Sequence, residues 1–184
     1  MSHPFYEIDD FSELIPIREA WKTMRDEAME HIDSFYPVED ERNESKNWFY
    51  MPLNPATDDI SAQGSILIAR ICKWQDKFKK TREICDSIHN CGYIYSLLGP
   101  LGHIAPHREG RNYVTGILGL NLKDPCKIRA GKEIRDLKQG EFTIFDFRED
   151  HEVWNFSNKS RLVLLISIPN RYKKSGFLNY IKEK

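Results

Sequence analysis

The sequence predicts an α+β fold in which N-terminal helices pack on a β-sandwich or barrel of the jelly-roll or cupin kind. In the N-terminal part, apolar residues recur at about the 3.6-residue period of a helix. After Gly92 the chain consists of short β-branched and aromatic runs separated by turn residues. Five or more short strands within about 75 residues indicate two packed antiparallel sheets or a closed barrel.

We expect one domain over residues 1–184, because a chain of this length buries a core without disulfides or a structural metal. Residues 1–90 are predicted to be mainly helical, residues 91–170 to form the β core, and residues 171–184 to form a C-terminal tail.

Two helices are predicted before the β core, over residues 10–35 and 66–88. Asp10 is the candidate N-cap of the first helix, and Glu13, three residues later, completes a capping box. Residues 48–53 are aromatic and apolar and predict a short buried strand between the two helices.

The strands of the β core are predicted from β-branched and aromatic runs bounded by turn residues. They are expected at residues 93–98, 113–122, 127–130, 141–147, 151–156 and 161–168. Gly131-Lys132 and residues 138–140 are predicted turns between strands.

Composition argues against several classes of partner. The net charge of −1 and the pI near 6.6 give no field that favours nucleic acid or acidic membranes. No apolar run approaches the roughly 20 residues that a membrane span requires. The N-terminus lacks the basic and apolar stretches of a signal peptide, so we expect a cytoplasmic protein. The sequence leaves the oligomeric state open.

The four cysteines have irregular spacings and no Cys-x-x-Cys pair, which argues against a structural zinc site. Reduced thiols are the expected state. Cys85 and Cys91 remain candidates for pairing in an oxidising compartment.

The most informative motif is His107-Arg108-Glu109 together with His151. On a strand, residues i and i+2 point to the same face, so His107 and Glu109 would present an imidazole and a carboxylate side by side. Two imidazoles and one carboxylate are the ligands of a mononuclear Fe(II) site with open positions, although they also suit Zn, Mn or Co. Taken singly, each histidine is equally compatible with a surface or core role.

Arg161 adds a co-substrate site to this hypothesis. Residues 151–168 predict a β-hairpin with its loop at 156–160, which places Arg161 on the same face as His151 and roughly 13 Å further along, at about 3.3 Å per residue. A long arginine plus a five-carbon dicarboxylate spans such a gap. His103 lies between Gly102 and Pro106, which disfavour a helix, and is expected to be a loop residue or to support the ligands.

Several motifs together resemble the aspartyl/asparaginyl β-hydroxylase family, from about residue 79 to residue 169. They are Ser96-x10-His107, Gly102 to His107, Leu118-Gly119-Leu120, Phe145-Asp146, His151 to Asn155 and Arg161-x-Val163-Leu164. The resemblance implies a double-stranded β-helix core that uses Fe(II), 2-oxoglutarate and O₂. It also implies that a C–H bond is hydroxylated while 2-oxoglutarate is decarboxylated to succinate.

The resemblance implies a role for each matching residue. His107 and His151 match the iron ligands, and Glu109 stands where relatives have aspartate or glycine. Arg161 matches the arginine that holds the distal carboxylate of 2-oxoglutarate, and Ser96 matches a polar contact to it.

Departures from the family pattern fall near the Leu-Gly-Leu segment. A basic residue and a histidine of the family are replaced by Thr115 and Ile117, and Arg111 is the candidate that compensates. Ser167 replaces an aspartate that commonly follows the Arg161 strand. With a carboxylate at Glu109, hydroxylation is favoured over halogenation.

The expected substrate is a small amino acid or a peptide. Candidate clamps for its carboxylate are Arg108, Arg111 and Arg148, and candidate walls of the pocket are Trp48, Tyr50 and Trp154. Alternatives left open are a cupin-like metal-binding protein or isomerase, a binding module that has lost turnover, and a structural protein.

Overall fold

The structure, a computed structural model, describes residues 3–54, 68–88, 91–108, 113–123 and 125–169. Within these ranges, the helices lie before the β core. They are α1 (Ile15–Glu19), α2 (Trp21–Glu30), α3 (helical residues 68–74) and α4 (Lys79–Cys85), with 3-10 turns at Ile8–Leu14 and Ile32–Ser34.

The long first helix predicted over residues 10–35 is divided into shorter pieces. Pro16 lies in the first turn of α1, and Ala20 between α1 and α2 has a non-helical ψ of 8°. The predicted N-cap was wrong: Asp10 is the third residue of the 3-10 turn, and its carboxylate accepts the backbone N–H of the capping residue Glu7. A capping box is present, but its first residue is Glu7, three residues before the predicted Asp10.

The described strands form an antiparallel jelly roll. They are β1 (Phe5–Tyr6), β2 (Tyr36–Pro37), β3 (Trp48–Asn54), β4 (Gly92–Leu98), β5 (His103–His107), β6 (Tyr113–Asn121), β7 (Cys126–Ala130), β8 (Glu133–Asp136), β9 (Phe142–Asp146), β10 (His151–Asn155) and β11 (Arg161–Pro169). The strands predicted from β-branched and aromatic runs are confirmed, whereas β1, β2, β5 and β8 were not predicted.

The strands form two sheets that face each other. The larger has the order β1-β9-β6-β11-β4-β3-β2, and the smaller has the order β5-β10-β7-β8. Three strands from the N-terminal part, β1, β2 and β3, join the larger sheet. The N-terminal part therefore contributes to the sheet itself and also supplies the helices that cover it. This is the expected α+β fold with a double-stranded β-helix core.

The predicted hairpin over residues 151–168 was wrong. β10 pairs with β5 and β7 in the smaller sheet, whereas β11 pairs with β4 and β6 in the larger one. The chain crosses between the sheets because Asn155, at the end of β10, is tied to the end of β4. Its amide donates to the backbone oxygens of Leu98 at 3.1 Å and Gly99 at 2.7 Å.

Each face of the larger sheet carries its own hydrophobic core. One core lies between this sheet and the helices and includes Leu162, Leu164 and Ile166 of β11. The other lies between the two sheets and includes Val163 of the same strand. Because side chains alternate along a strand, Arg161 belongs to the face that points between the sheets.

None of the four cysteines forms a disulfide: Cys72 is exposed, and Cys85, Cys91 and Cys126 are buried. Burial raises the pKa of the Cys91 thiol to about 12 and that of the Cys85 thiol further, which disfavours their thiolates. Among the described helices, none has the length and hydropathy that a membrane crossing requires.

Candidate active site

Two histidines from neighbouring strands meet at one end of the smaller sheet. His107 ends β5 and His151 begins β10, and antiparallel pairing places the two residues directly opposite each other. Their ring centroids are 4.1 Å apart, with planes inclined by 57°. Two imidazoles at this separation can ligate one metal ion, and the ligand type suits Fe(II) or another divalent transition metal.

Backbone hydrogen bonds define how both rings present their nitrogens. Nδ1 of His107 lies 2.8 Å from the carbonyl oxygen of Ala105, and Nδ1 of His151 lies 2.8 Å from that of Glu149. Because a carbonyl only accepts, each Nδ1 carries the hydrogen, and in the neutral ring the lone pair is on Nε2. Protein metal ligands are commonly held in this way, with one ring nitrogen bonded to the backbone and the other directed at the metal.

Apolar rings surround the His151 imidazole, which is 3% exposed. The rings of Phe145 and Phe147 lie 5.1 Å and 4.9 Å from it, centroid to centroid. Such a shell limits the access of water to a bound metal and lowers the local dielectric constant.

The third proposed ligand, Glu109, lies outside the described residues, as does Arg111. Over the ranges that the structure describes, no group of three His, Cys, Asp or Glu side chains is placed to hold a metal ion. The described part of the chain thus supplies two candidate histidine ligands, and the third remains a prediction from the sequence.

Arg161 lies inside the barrel, at the opposite end of β10 from His151. It is 2% exposed, and its neighbour across the sheet is Leu98. The Nε of Arg161 is buried without a hydrogen-bond partner, and no carboxylate of the described residues interacts with the guanidinium. Burial lowers the pKa of Arg161 to about 10, so the group remains a cation at neutral pH.

Ser96 lies on the same inner face, in the row next to Arg161. It is 1% exposed and opposite Val163 of β11. The indole Nε1 of Trp48 donates to its hydroxyl at 3.0 Å, so Trp48 walls the pocket beside it. Thr115 of β6 also contributes a buried hydroxyl that lacks a partner among the described residues. The sequence had marked Thr115 only as a departure from the family pattern.

A loop at residues 38–47 reaches the histidine strand from the N-terminal part. The backbone N–H of Ala105 donates to the oxygen of Arg42 at 3.1 Å, two residues before His107. The Arg42 guanidinium contacts Asp40 at 2.6 Å, and this hydrogen bond lowers the pKa of Asp40 to about 2. The same guanidinium lies 6.0 Å over the Trp48 ring. This contact could not be predicted from local sequence, since it joins segments about 60 residues apart.

Two expectations were wrong: His103 is not a loop residue, and Trp154 does not wall the pocket, because both residues lie on the outer face of the smaller sheet. His103 belongs to β5, and its ring is stacked on Trp154 at 5.7 Å, with Glu152 at 3.2 Å. The Trp154 side chain alternates with Val153, which points inward, so Trp154 does not wall the barrel interior.

The candidate carboxylate clamps also differ in their surroundings. Arg148 is held by Asp146 through contacts of 3.0 Å and 2.7 Å, which occupy its guanidinium. Arg108 is exposed.

Comparison with known proteins gives these features a family context. The family model described as aspartyl/asparaginyl beta-hydroxylase matches residues 18–171, which include both histidines, Ser96 and Arg161. The chain belongs to the aspartyl/asparaginyl β-hydroxylase family. The match begins well before residue 79, so α2, α3, α4 and β3 lie within the matched region.

The aspartyl/asparaginyl β-hydroxylase of Mus musculus is 29% identical to the chain over 170 residues. That alignment covers 86% of the chain but only 22% of the mouse protein, so the chain spans about a fifth of this relative's length. The ornithine lipid ester-linked acyl 2-hydroxylase of Rhizobium tropici is 30% identical over 92 residues, which is 47% of the chain and 33% of that protein.

Among solved structures, a Pseudomonas putida prolyl-4-hydroxylase has the same fold, with a TM-score of 0.54. It is 16% identical in sequence, and the similarity covers 83% of this chain and 87% of that one. At this level of identity the likeness supports the jelly-roll architecture alone.

Proposed function

We propose that the protein is an Fe(II)- and 2-oxoglutarate-dependent dioxygenase, an oxidoreductase that hydroxylates an unactivated C–H bond of a small amino acid or a peptidyl residue. The observation that carries this proposal is Arg161, a buried cation with no anionic partner among the described residues, in the same barrel as the histidine pair. An isolated buried charge is costly, so its retention favours a ligand that supplies the opposite charge.

The placement of Arg161 suits a dicarboxylate that also reaches the metal. Asn155, which hydrogen-bonds to the backbone of Leu98, marks the Arg161 end of the barrel, because Leu98 is opposite Arg161. Asn155 is four residues from His151 along β10, or roughly 13 Å at about 3.3 Å per residue. Although the predicted hairpin was wrong, the estimated distance between His151 and Arg161 is unchanged, because β10 and β11 face each other across the barrel.

Each residue has a defined task in this proposal. His107 and His151 would hold the metal through Nε2, with Glu109 as the third ligand, and bound iron supplies the redox chemistry that activates O₂. The Arg161 guanidinium binds the distal carboxylate of 2-oxoglutarate through paired N–H groups. Ser96 and Thr115 offer hydroxyls to the same ligand.

The walls of the barrel exclude water from the reaction. Val153 of β10, Ile117 of β6 and Phe145 belong to the core between the sheets, and the Phe145 ring lies 5.1 Å from that of His151. A dry pocket protects a reactive intermediate from side reactions with water and holds the substrate C–H bond in one orientation.

The test is a screen of amino acids and short peptides for succinate release together with a mass gain of one oxygen in the substrate. We expect both products only when Fe(II) and 2-oxoglutarate are present. Arg161→Met should raise the 2-oxoglutarate concentration required for half-maximal rate by about a hundredfold, since charge-assisted hydrogen bonds are worth about 1.5–3 kcal/mol each. The matched control is Arg135→Met, which removes a guanidinium that is paired with Glu7 on the surface.

Two results would contradict the proposal. Unchanged 2-oxoglutarate dependence in Arg161→Met would remove the co-substrate assignment. Full activity in His107→Ala would remove the metal assignment.

A further inference from the structure

We propose that the wall of the barrel facing the histidine pair is a subsite for an aliphatic group of the substrate, of the kind that a leucine side chain carries. This apolar wall consists of Ile94, Leu165, Ile117 and Phe147. The inference rests on the proposed function, because it names the substrate chemistry accepted at the same site. It narrows the amino acid or peptidyl residue of that proposal to one with a hydrocarbon side chain.

Strand pairing brings three members of the apolar wall into one row across the larger sheet. Leu165 of β11 is opposite Ile94 of β4 on one side and opposite Ile117 of β6 on the other. Paired residues share a face of the sheet, and Leu165 is on the same face as Arg161, four residues earlier. Ile117 belongs to the core between the sheets, and Leu165 packs against that core. The row therefore faces the barrel interior.

The apolar wall lies at the level of the histidine pair. Arg161 and Asn155 mark the same end of the barrel, and β10 and β11 face each other across it. Leu165 lies four residues beyond Arg161 on β11. His151 is equally far from Asn155 on β10, so both are roughly 13 Å from that end at about 3.3 Å per residue. Phe147 completes the wall, since its ring lies 4.9 Å from that of His151, centroid to centroid.

The barrel interior is closed near Arg161 and opens at this row. On the inner face of β11, Val163 is 0% exposed, whereas Leu165 is half-buried. Its neighbours on the helical face, Leu164 and Ile166, are 0% and 1% exposed, so the opening belongs to the inner face alone. Ile94 is likewise half-buried between buried neighbours on β4. Partly exposed apolar side chains inside the barrel leave room beside the histidines for an apolar group.

The chemistry of the apolar wall favours hydrocarbon over polar groups of the same shape. None of its four side chains carries a polar atom. A carboxylate or carboxamide placed against it would lose hydrogen bonds to water without replacement. An aliphatic group gains free energy there instead, because apolar area of both the group and the wall is removed from water.

Polar and charged groups lie around the apolar wall rather than in it. Ser167, the next inner residue of β11, is half-buried and supplies a hydroxyl. Arg42, on the loop bonded to β5, contacts Asp40 at 2.6 Å, and Arg148 contacts Asp146 at 2.7 Å. An amino acid or peptide can therefore place its polar main chain beside Ser167 and its side chain against the wall.

The experiment compares three tripeptides that differ only in a central leucine, asparagine or aspartate, whose side chains are nearly isosteric. Binding of each to the full chain is measured by ligand-detected NMR titration, which needs no turnover. We expect the leucine peptide to bind about tenfold to a hundredfold more tightly than either of the others. Leu165→Asn and Ile94→Thr, tested separately, should each reduce this preference about threefold to tenfold, because each removes apolar area from the wall.

The matched control is Ile134→Asn. Ile134 of β8 is 57% exposed and opposite Arg129, on the outer face of the smaller sheet, so the variant makes the same kind of change away from the barrel interior. The preference for the leucine peptide should survive in it. Equal or tighter binding of the asparagine or aspartate peptide to the wild type would overturn the subsite. An undiminished preference in both Leu165→Asn and Ile94→Thr would overturn it as well.

A further ligand, isocaproylglycine, tests the source of the aliphatic group. It carries the branched chain of leucine as an acyl group and lacks the amino-terminal part of the tripeptide. We expect it to bind more weakly than the leucine peptide, because it cannot place the same main chain beside Ser167. Tighter binding of isocaproylglycine would overturn the assignment to an amino acid side chain.

The outcome also separates this inference from the proposed function. If succinate is never released but the leucine preference exists and depends on Leu165, the subsite stands and the oxygenase proposal fails. If succinate is released with the asparagine or aspartate peptide and not with the leucine peptide, the oxygenase proposal stands and the subsite fails.

Discussion

At the scale of single residues, Asn155 and Arg161 show how a structural polar group differs from one prepared for a ligand. Both are buried, at 1% and 2% exposure, and both lie at the same end of the barrel. The Asn155 amide donates to three backbone oxygens, and its own oxygen accepts from Ser157 N–H. Arg161 has no comparable set of partners among the described residues, and the proposal that its charge binds a ligand rests on this difference.

Asn155→Ala should therefore destabilise the fold without changing any proposed ligand contact. The substitution leaves several buried backbone groups without partners, at a cost of about 1–3 kcal/mol for each unsatisfied group. We expect a loss of about 2–4 kcal/mol in the free energy of unfolding, measured by urea denaturation.

Asn121→Ala is the control for this variant, because the Asn121 amide has only a long contact of 3.7 Å to the sulfur of Met29. It should lose less than about 0.5 kcal/mol. A loss below about 1 kcal/mol in Asn155→Ala would show that the crossing between the sheets is held by other contacts.

At the scale of elements, β-branched and aromatic runs bounded by turn residues were the most reliable signal in the sequence. They placed β4, β6, β9, β10 and β11, and the alternation of side chains gave the correct inner face for Arg161. The two-residue strands β1 and β2 are too short to show a periodic pattern. Pro106 argues against a strand at β5, because proline is rare within strands.

Strand partners were harder to predict than strands. Residues 156–160 can close a hairpin or cross between sheets, and local sequence does not distinguish these outcomes. The choice depends on long-range bonds such as the one from Asn155 to Gly99, 56 residues apart. For the same reason the approach of the loop at residues 38–47 to β5 could not be predicted.

A tight contact between β6 and the turn before β9 yields a prediction at this scale. A Cβ added to Gly119 would lie 2.2 Å from the backbone oxygen of Lys138, and the Gly119 oxygen accepts from Gly140 N–H at 2.8 Å. The backbone at Lys138 cannot move away from an added Cβ as easily as a flexible side chain could. We expect Gly119→Ala to lose about 2–3 kcal/mol in urea unfolding, as overpacked sites do.

Gly131→Ala is the informative comparison for that variant. Gly131 has a φ of +56°, but an added Cβ would have only Glu149 Oε2 at 3.5 Å and Pro4 at 3.9 Å near it. Its cost should be the backbone strain alone, about 1–2 kcal/mol. If Gly119→Ala were neutral or stabilising, the turn at residues 138–140 would have to move freely away from β6.

At the scale of the whole molecule, the hydrophobic cores on the two faces of the larger sheet differ in composition. The core between helices and the larger sheet is almost entirely apolar, and its buried groups stabilise the fold. The core between the sheets also carries His151, Ser96, Thr115 and Arg161, which reduce the apolar area available there. The molecule thus has one core of apolar side chains that stabilises the fold and a second core that contains the polar residues of the proposed ligand site.

Arg161→Met tests this division, because it should make the ligand-free protein more stable. The pKa of Arg161 falls from 12.5 to about 10 on folding. Between these pH values the folded state holds fewer protons than the unfolded chain, so stability rises with pH there and the charge costs stability below. At about 1.4 kcal/mol for each pH unit, the cost at neutral pH is about 3 kcal/mol. We expect the variant to gain about 1–3 kcal/mol in urea unfolding at pH 7.

The two proteins should differ in how strongly 2-oxoglutarate stabilises them. For the wild type, 2-oxoglutarate at a hundred times its dissociation constant should add about 2.7 kcal/mol to the free energy of unfolding. For Arg161→Met at the same concentration, the gain in the free energy of unfolding should nearly vanish. The difference in stability between the two ligand-free proteins should therefore narrow or change sign when 2-oxoglutarate is added. Arg135→Met should follow the wild type, because Arg135 is paired with Glu7 at the surface. A ligand-free Arg161→Met less stable than the wild type would mean that the guanidinium has its counter-charge within the chain, and that its burial is a structural feature with no need of a bound carboxylate.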